Sequence, residues 1–240
     1  MPIRRVLDTL LRIVGESPGY FVSGSLSFLP LLPAYREPEH DVDVGVSAEL
    51  FRERKADFEA AGHVHVLRLS EVAIADASPI ARLLAPRTRF VHIDTPDGLI
   101  DLSQYRLREG GIELFLGAGL TLRIPSAVLD RVRTLRWQGL SFRAGPPELA
   151  ILPKVLWYLA WKKSGAEPTS VEEKHLVDLR KAASLVDWEF AESLLAATEL
   201  CWLGRRFPRF LTRASIPFRE LDVVRMRREV EWLSDPRSRP

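Results

Sequence analysis

The chain is short of cysteine and lysine, carries almost no net charge and has no long apolar run. Its single cysteine, Cys201, among 240 residues excludes an intramolecular disulfide framework and any zinc site built from several thiolates. No stretch of about 18 apolar residues exists from which a spanning helix could be made. Met1-Pro2-Ile3-Arg4-Arg5 runs into an amphipathic pattern where a secreted protein would carry an apolar leader. These absences point to a cytoplasmic protein with no membrane partner. The formal net charge is +2, from 34 Lys+Arg against 32 Asp+Glu, which leaves no global electrostatic case for nucleic acid. Lysine is confined to positions 55, 154, 162, 163, 174 and 181, so 28 of the 34 basic residues are arginine. Such an excess suits bidentate phosphate contacts and is equally what a GC-rich coding sequence produces.

What is present is a 46% hydrophobic composition, enough at this length for one large domain or two small ones. Val6, Leu7, Leu10, Leu11, Ile13 and Val14 recur at helical spacing within residues 4–16. Tyr20-Phe21-Val22 reads as a strand, Ser23-Gly24-Ser25 as a tight turn and Leu26 to Leu32 as a helix. Pro33 to His40 reads as a surface loop, and Asp41 to Val46 as a strand. Ser47 is the expected cap of a helix reaching Ala61, and His63 to Leu69 has strand character. Phe90–Asp94 and Leu99–Tyr105 flank Thr95-Pro96-Asp97-Gly98 as a hairpin, and two more strands are expected at Glu113–Leu116 and Leu120–Ile124. Beyond Pro125 the texture is helical, with helices expected at 147–163, 171–185, 189–203 and 218–233. The expectation is an α/β (α+β) protein: a small mixed sheet over residues 1–125, and a mainly helical domain over 126–240 closing a cleft.

Three features carry chemistry. Asp41-Val42-Asp43 directs two carboxylates from one strand face, about 6.5–7 Å apart at the backbone. Two such groups are hard to bury together unless a cation lies between them, and oxygen ligands of this kind suit Mg²⁺. Gly24-Ser25 stands at the expected strand-to-helix turn, where glycine permits close backbone approach and serine offers a hydroxyl and an amide to a phosphate. Asp101 stands between apolar neighbours in an expected strand and therefore points away from their face, toward solvent or a site. Each has a bland alternative: an exposed strand face, an ordinary capped turn, an exposed strand residue. Asp94 borders the turn and is the structural competitor of Asp101. In the second half, Lys154 lies among Ile151, Leu152, Val155 and Leu156, where a cation either snorkels to solvent or reaches into a cleft. Arg205-Arg206-Phe207-Pro208-Arg209-Phe210 interleaves cations with aromatics, as an RNA contact or a surface turn.

Taken in order, Gly24-Ser25, Asp41-Val42-Asp43 and Asp101 resemble the pattern of the polymerase-β-like nucleotidyltransferase superfamily. Arg36 and His40 look like the loop before the acidic pair in lincosamide nucleotidyltransferases. The second half is similar to the AbiEii and MenT toxin group in Pro147-Glu148-Leu149, in Lys154, in Lys162 or Lys163, and in Lys174-His175-Leu176-Val177-Asp178-Leu179. It departs from that group at His175, where an acidic residue is usual, and at Pro153, which implies a kink. The resemblance implies a nucleoside triphosphate substrate and two Mg²⁺ ions. Asp41, Asp43 and Asp101 would act as ligands and catalytic groups, and Gly24, Ser25, Lys154 and Asp178 would serve the nucleotide. By the toxin-like motifs the acceptor would be tRNA or another RNA, with an antitoxin partner protein; by the lincosamide-like loop it would be a small hydroxylated molecule. A metal-dependent glycosyltransferase or a non-catalytic nucleotide-binding protein would use fewer of these residues.

Overall fold

The computed structural model describes residues 2–32, 41–68, 89–117, 120–152, 154–155, 158, 170–202, 223–235 and 237. The expected loop with Arg36 and His40, as well as Pro153, Lys162, Lys163 and the Arg205 to Phe210 stretch, lie outside the described residues. Helix α1 (Pro2–Val14) precedes β1 (Tyr20–Val22) and β2 (Asp41–Ser47); α2 (Ala48–Glu53) and α3 (Lys55–Ala61) follow. Then come β3 (His63–Arg68), β4 (Arg89–Thr95), β5 (Gly98–Arg108), β6 (Gly111–Gly117) and β7 (Leu120–Pro125). The remaining strands are β8 (Arg133–Trp137), β9 (Leu140–Ala144) and β10 (Glu199–Trp202), with helices at Ser170–Ala182, Trp188–Ala197 and Val223–Ser234.

The ten strands among the described residues join one mixed sheet in the order β10-β7-β6-β5-β2-β1-β9-β8, with β4 also on β5 and β3 on β4. The long β5 runs parallel to β2, while β4 pairs with its first half and β6 with its second, both antiparallel. β2 and β5 thus lie in the middle, and their period-2 alternation separates the two sides of the protein. Val42, Val44, Val46, Ile100 and Leu102 pack on one side against Ile3, Val6, Leu7 and Leu10 of α1. The helical period of α1 supplies that stripe, and each fully buried aliphatic chain contributes about 1.5–3 kcal/mol against chain entropy. On the other side, Phe21 and Tyr105 belong to a second core with Ile151, Val155, Leu179 and Leu194 of the C-terminal helical segments.

Several expected elements differ. Leu26 to Leu32 forms two short 3-10 turns, Ser25–Ser27 and Leu29–Leu31, in place of a helix. Pro30 has no N–H and would clash with the carbonyl four residues back in an α-helix. The helix capped by Ser47 breaks at Arg54, a break that nothing in the structure explains. The helix expected to reach residue 203 stops at Ala197, where extended Thr198 donates its hydroxyl to Leu194 O at 2.7 Å and the chain becomes β10. Strand structure also continues past Pro125, in β8 and β9. Their two-residue turn has positive φ at Gln138 (47°) and Gly139 (80°), a hairpin geometry whose usual Asn-Gly signature is replaced here by Gln-Gly.

Candidate active site

The parallel register of β2 on β5 sets Asp43 directly beside Asp101, and the antiparallel register of β4 on β5 sets His92 beside Asp101 on its far side. Register partners share a face, so Asp43, Asp101 and His92 form a row across three strands, spaced about 4.8 Å at the backbone. Asp41 stands one step earlier on the same face and is exposed. Its charge is felt at both Asp101 and His92. The sheet thus brings the three expected carboxylates to one face. Asp94, also expected as the structural competitor, is exposed near the hairpin turn, opposite His63.

Gly24 adjoins this row. Its backbone (φ 56°, ψ −151°) lies in a region that only glycine occupies readily, and a Cβ there would overlap the Asp43 carboxylate. Ser23 donates its amide to Asp43 O at 2.9 Å, which ties the turn to β2. Ser25 begins the three-residue 3-10 turn that follows, so what it offers is its own hydroxyl and amide and not a helix dipole.

Burial, and secondarily the charge of Asp41, raise the Asp101 carboxyl to about 6. Burial also lowers the His92 imidazole, against the pull of Asp41. His92 Nε2 is 3.6 Å from Asp101 Oδ1, and near neutral pH a neutral imidazole at that distance forms no ion pair. Asp101 Oδ1 is buried and has no hydrogen-bond partner. A buried carboxylate oxygen left in this way is costly, and a cation is the partner that removes the cost. Among the described residues, no three His, Cys, Asp or Glu side chains form a ready-made metal cage. A row of carboxylates without a closed cage fits Mg²⁺, which keeps waters and takes phosphate oxygens to complete its shell.

Lys154 and Asp178 come together elsewhere. Lys154 Nζ lies 3.1 Å from Asp178 Oδ2 and 3.0 Å from His175 Nδ1, with the Asp178 side chain 1% exposed and that of Lys154 12%. The lysine has neither snorkelled nor been left unpaired: its ion pair sits in the helical layer around Ile151, Val155 and Leu179, which packs on the carboxylate-bearing side of the sheet.

One feature was missed in the sequence. Along the same face lies a cavity of about 230 Å³, lined by Phe21, Gly45, Ser103, Leu149, Leu152 and Leu195 among others. Gly45 and Ser103 are the next same-face positions after Asp43 and Asp101, so the cavity continues the row of carboxylates. Gly45 has no side chain because the Phe21 ring occupies that space, a Cβ there meeting ring carbons at 2.6–3.0 Å. A period-2 extension of the acidic motif would have found Gly45 and Ser103. The helical wall comes from distant sequence and left no such signal.

No family model matches the sequence, and no curated protein matches it. Solved structures do. ANT(2")-Ia in complex with adenylyl-2"-tobramycin is similar with a TM-score of 0.50 at 14% identity, over 81% of this chain and 95% of that one. The lincosamide antibiotic adenylyltransferase LnuA, bound to lincomycin, aligns over 74% of this chain and 93% of that one at 12% identity, with a TM-score of 0.44. The chain has the mixed α/β fold seen in ANT(2")-Ia.

Proposed function

We propose that the protein transfers a nucleoside monophosphate from a nucleoside triphosphate to a hydroxyl of a small molecule. The observation that carries this reading is the row of Asp43 and Asp101, with Gly24 packed on Asp43 and a buried Asp101 oxygen lacking a hydrogen bond. Asp41, Asp43 and Asp101 would hold Mg²⁺, two ions by the resemblance. Bound there, the metal would neutralise charge on the triphosphate and on the attacking and leaving oxygens. The rest is the work of the chain. Gly24 lets the β- and γ-phosphates approach the backbone, and Ser25 offers them its hydroxyl and amide. The acceptor oxygen forms a bond to the α-phosphorus as the bond to pyrophosphate breaks, and Asp101 takes the hydroxyl proton. Lys154 and Asp178 enter as a pair in the helical layer on the carboxylate-bearing side, and by the resemblance they would serve the nucleotide.

Among acceptors, the cavity beside the carboxylates supports a small hydroxylated molecule. RNA and an antitoxin partner, implied by the toxin-like motifs, gain nothing from the similar solved structures. Calorimetry with a non-hydrolysable ATP analogue, with and without Mg²⁺, tests the reading. Metal-dependent binding that is lost in Asp41→Ala/Asp43→Ala is expected. Binding that needs no metal and survives the double substitution would overturn it. In a transfer assay, Asp43→Asn should lose about 10²–10⁴-fold in rate while remaining folded.

A further inference from the structure

We infer that the acceptor carries an apolar ring or chain, seated in the cavity behind the carboxylates, on the side opposite its reacting hydroxyl. This inference rests on the proposed nucleotidyl transfer and specifies its substrate class. The cavity of about 230 Å³ is roughly one and a half times the size of a dry apolar cavity that admits benzene. It therefore has room for a bicyclic ring or a chain of comparable bulk. Its walls are mostly carbon: Phe21 from β1, Ile112, Leu114 and Leu122 from β6 and β7, and Leu149, Leu152 and Leu195 from the helical segments. Interiors normally collapse onto gaps of this size, and one held open beside a row of carboxylates has the form of a binding pocket.

Placement sets the geometry of the ligand. Gly45 and Ser103 form the floor nearest the carboxylates, one period-2 step from Asp43 and Asp101. An apolar group in the cavity, one period-2 step along the strands, is then about 7 Å or more from a hydroxyl at the carboxylates. The Phe21 ring fills the space over Gly45 and forms part of the wall there, and the Ser23 and Ser103 hydroxyls at the floor can orient the polar linker. The other polar groups of the lining are Glu148, whose Oε1 already accepts the Asp187 amide at 2.7 Å, and Thr198, whose hydroxyl is committed to Leu194 O. A heavily hydroxylated neutral sugar would find few partners on walls that are mostly carbon, whereas an aryl or alkyl alcohol loses little.

The test uses the full-length protein with Mg²⁺ and labelled ATP against glycerol, 2-(2-naphthyl)ethanol, tobramycin and bulk RNA. In parallel, the thermal shift induced by the naphthyl alcohol without nucleotide is measured. Transfer to the naphthyl alcohol with kcat/KM about 100-fold or more above glycerol is expected from the apolar area buried. In Leu195→Trp, which fills the wall, that ratio should fall at least about tenfold, by loss of pocket volume. Should Leu195→Trp not fold, the wild-type selectivity series decides. Equal transfer to all alcohols, or preference for tobramycin or RNA, overturns the inference while nucleotidyl transfer stands. No transfer to anything, with a thermal shift that Leu195→Trp abolishes, removes the reaction but keeps the apolar-alcohol pocket. No transfer and no shift overturns both.

Discussion

The two faces of the central sheet are built from the same strands and could hardly differ more. Toward α1, Val42, Val44, Val46, Ile100 and Leu102 meet Ile3, Val6, Leu7 and Leu10 in a layer made of aliphatic side chains. Toward the C-terminal helical segments, the alternate residues of β2 and β5 are Asp41, Asp43, Gly45, Asp101 and Ser103, beside a cavity and beneath a layer that contains a buried ion pair. One face has burial without compromise; the other retains carboxylates, among them a buried Asp101 oxygen without a hydrogen bond. Stability is therefore concentrated on the α1 side, and the capacity for chemistry on the other. Substitutions on the two sides should respond differently to ligands and to pH.

The largest effect is expected at the ion pair. Lys154→Met takes the ion-pair partner from Asp178, which is 1% exposed, and removing one partner of a buried pair costs about 3–5 kcal/mol. Lys154→Met combined with Asp178→Leu should recover most of that loss, because two apolar groups replace two buried charges. Urea unfolding of the three proteins measures it. If Lys154→Met proves neutral, the helical layer is as tolerant as an ordinary surface, and the contrast between the faces weakens.

Next comes Asp101, where the sign can be worked out. Its carboxyl rises from the ordinary 3.8 to about 6 in the folded protein, so the folded state holds this proton more tightly than the unfolded chain. The contribution of Asp101 to stability is therefore undiminished below about pH 4. It declines as pH rises through the interval to 6, reaching a penalty of up to about 3 kcal/mol above it. Asp101→Asn should accordingly match wild type in denaturant midpoint near pH 4 and exceed it at pH 8, while losing transfer activity. Mg²⁺ with a triphosphate analogue should raise the midpoint of wild type at pH 8 and leave that of the variant nearly unchanged. Equal wild-type and variant midpoints at both pH values would mean that the carboxylate is not strained by its burial, and the inferred tension of this face would disappear.

The contrast was only half legible in the sequence. The α1 face could be read because it depends on local periods: every second residue in β2 and β5, every third or fourth in α1. The acidic pair and Gly24-Ser25 could be read for the same reason, as short motifs with their own spacing. That Asp43 would stand beside Asp101 depends on which register the parallel strands β2 and β5 adopt, and no local signal carries that information. The Lys154–Asp178 pair joins residues from two separate helical segments, so the apolar setting of Lys154 predicted only that it needed a partner. The cavity depends on seven segments at once and was invisible. β8 and β9 were overlooked because arginines occupy their solvent positions and their turn uses Gln138-Gly139.

The smallest effect is expected at the junction of β2 and α2, whose Leu50 packs into the α1-side core. Ser47 ends the strand that carries Asp41 and Asp43, and its hydroxyl oxygen accepts the Leu50 amide at 3.1 Å, capping α2. Ser47→Ala removes that acceptor and should cost about 1 kcal/mol, the usual value of a cap. Because the cap lies at the end of β2 remote from the carboxylates, the loss should be the same at pH 4 and pH 8 and the same with or without Mg²⁺ and nucleotide. That independence makes this small effect useful. A Ser47→Ala penalty that grew with ligand would mean that the position of α2 is coupled through β2 to Asp43, and the two faces would then respond as one unit.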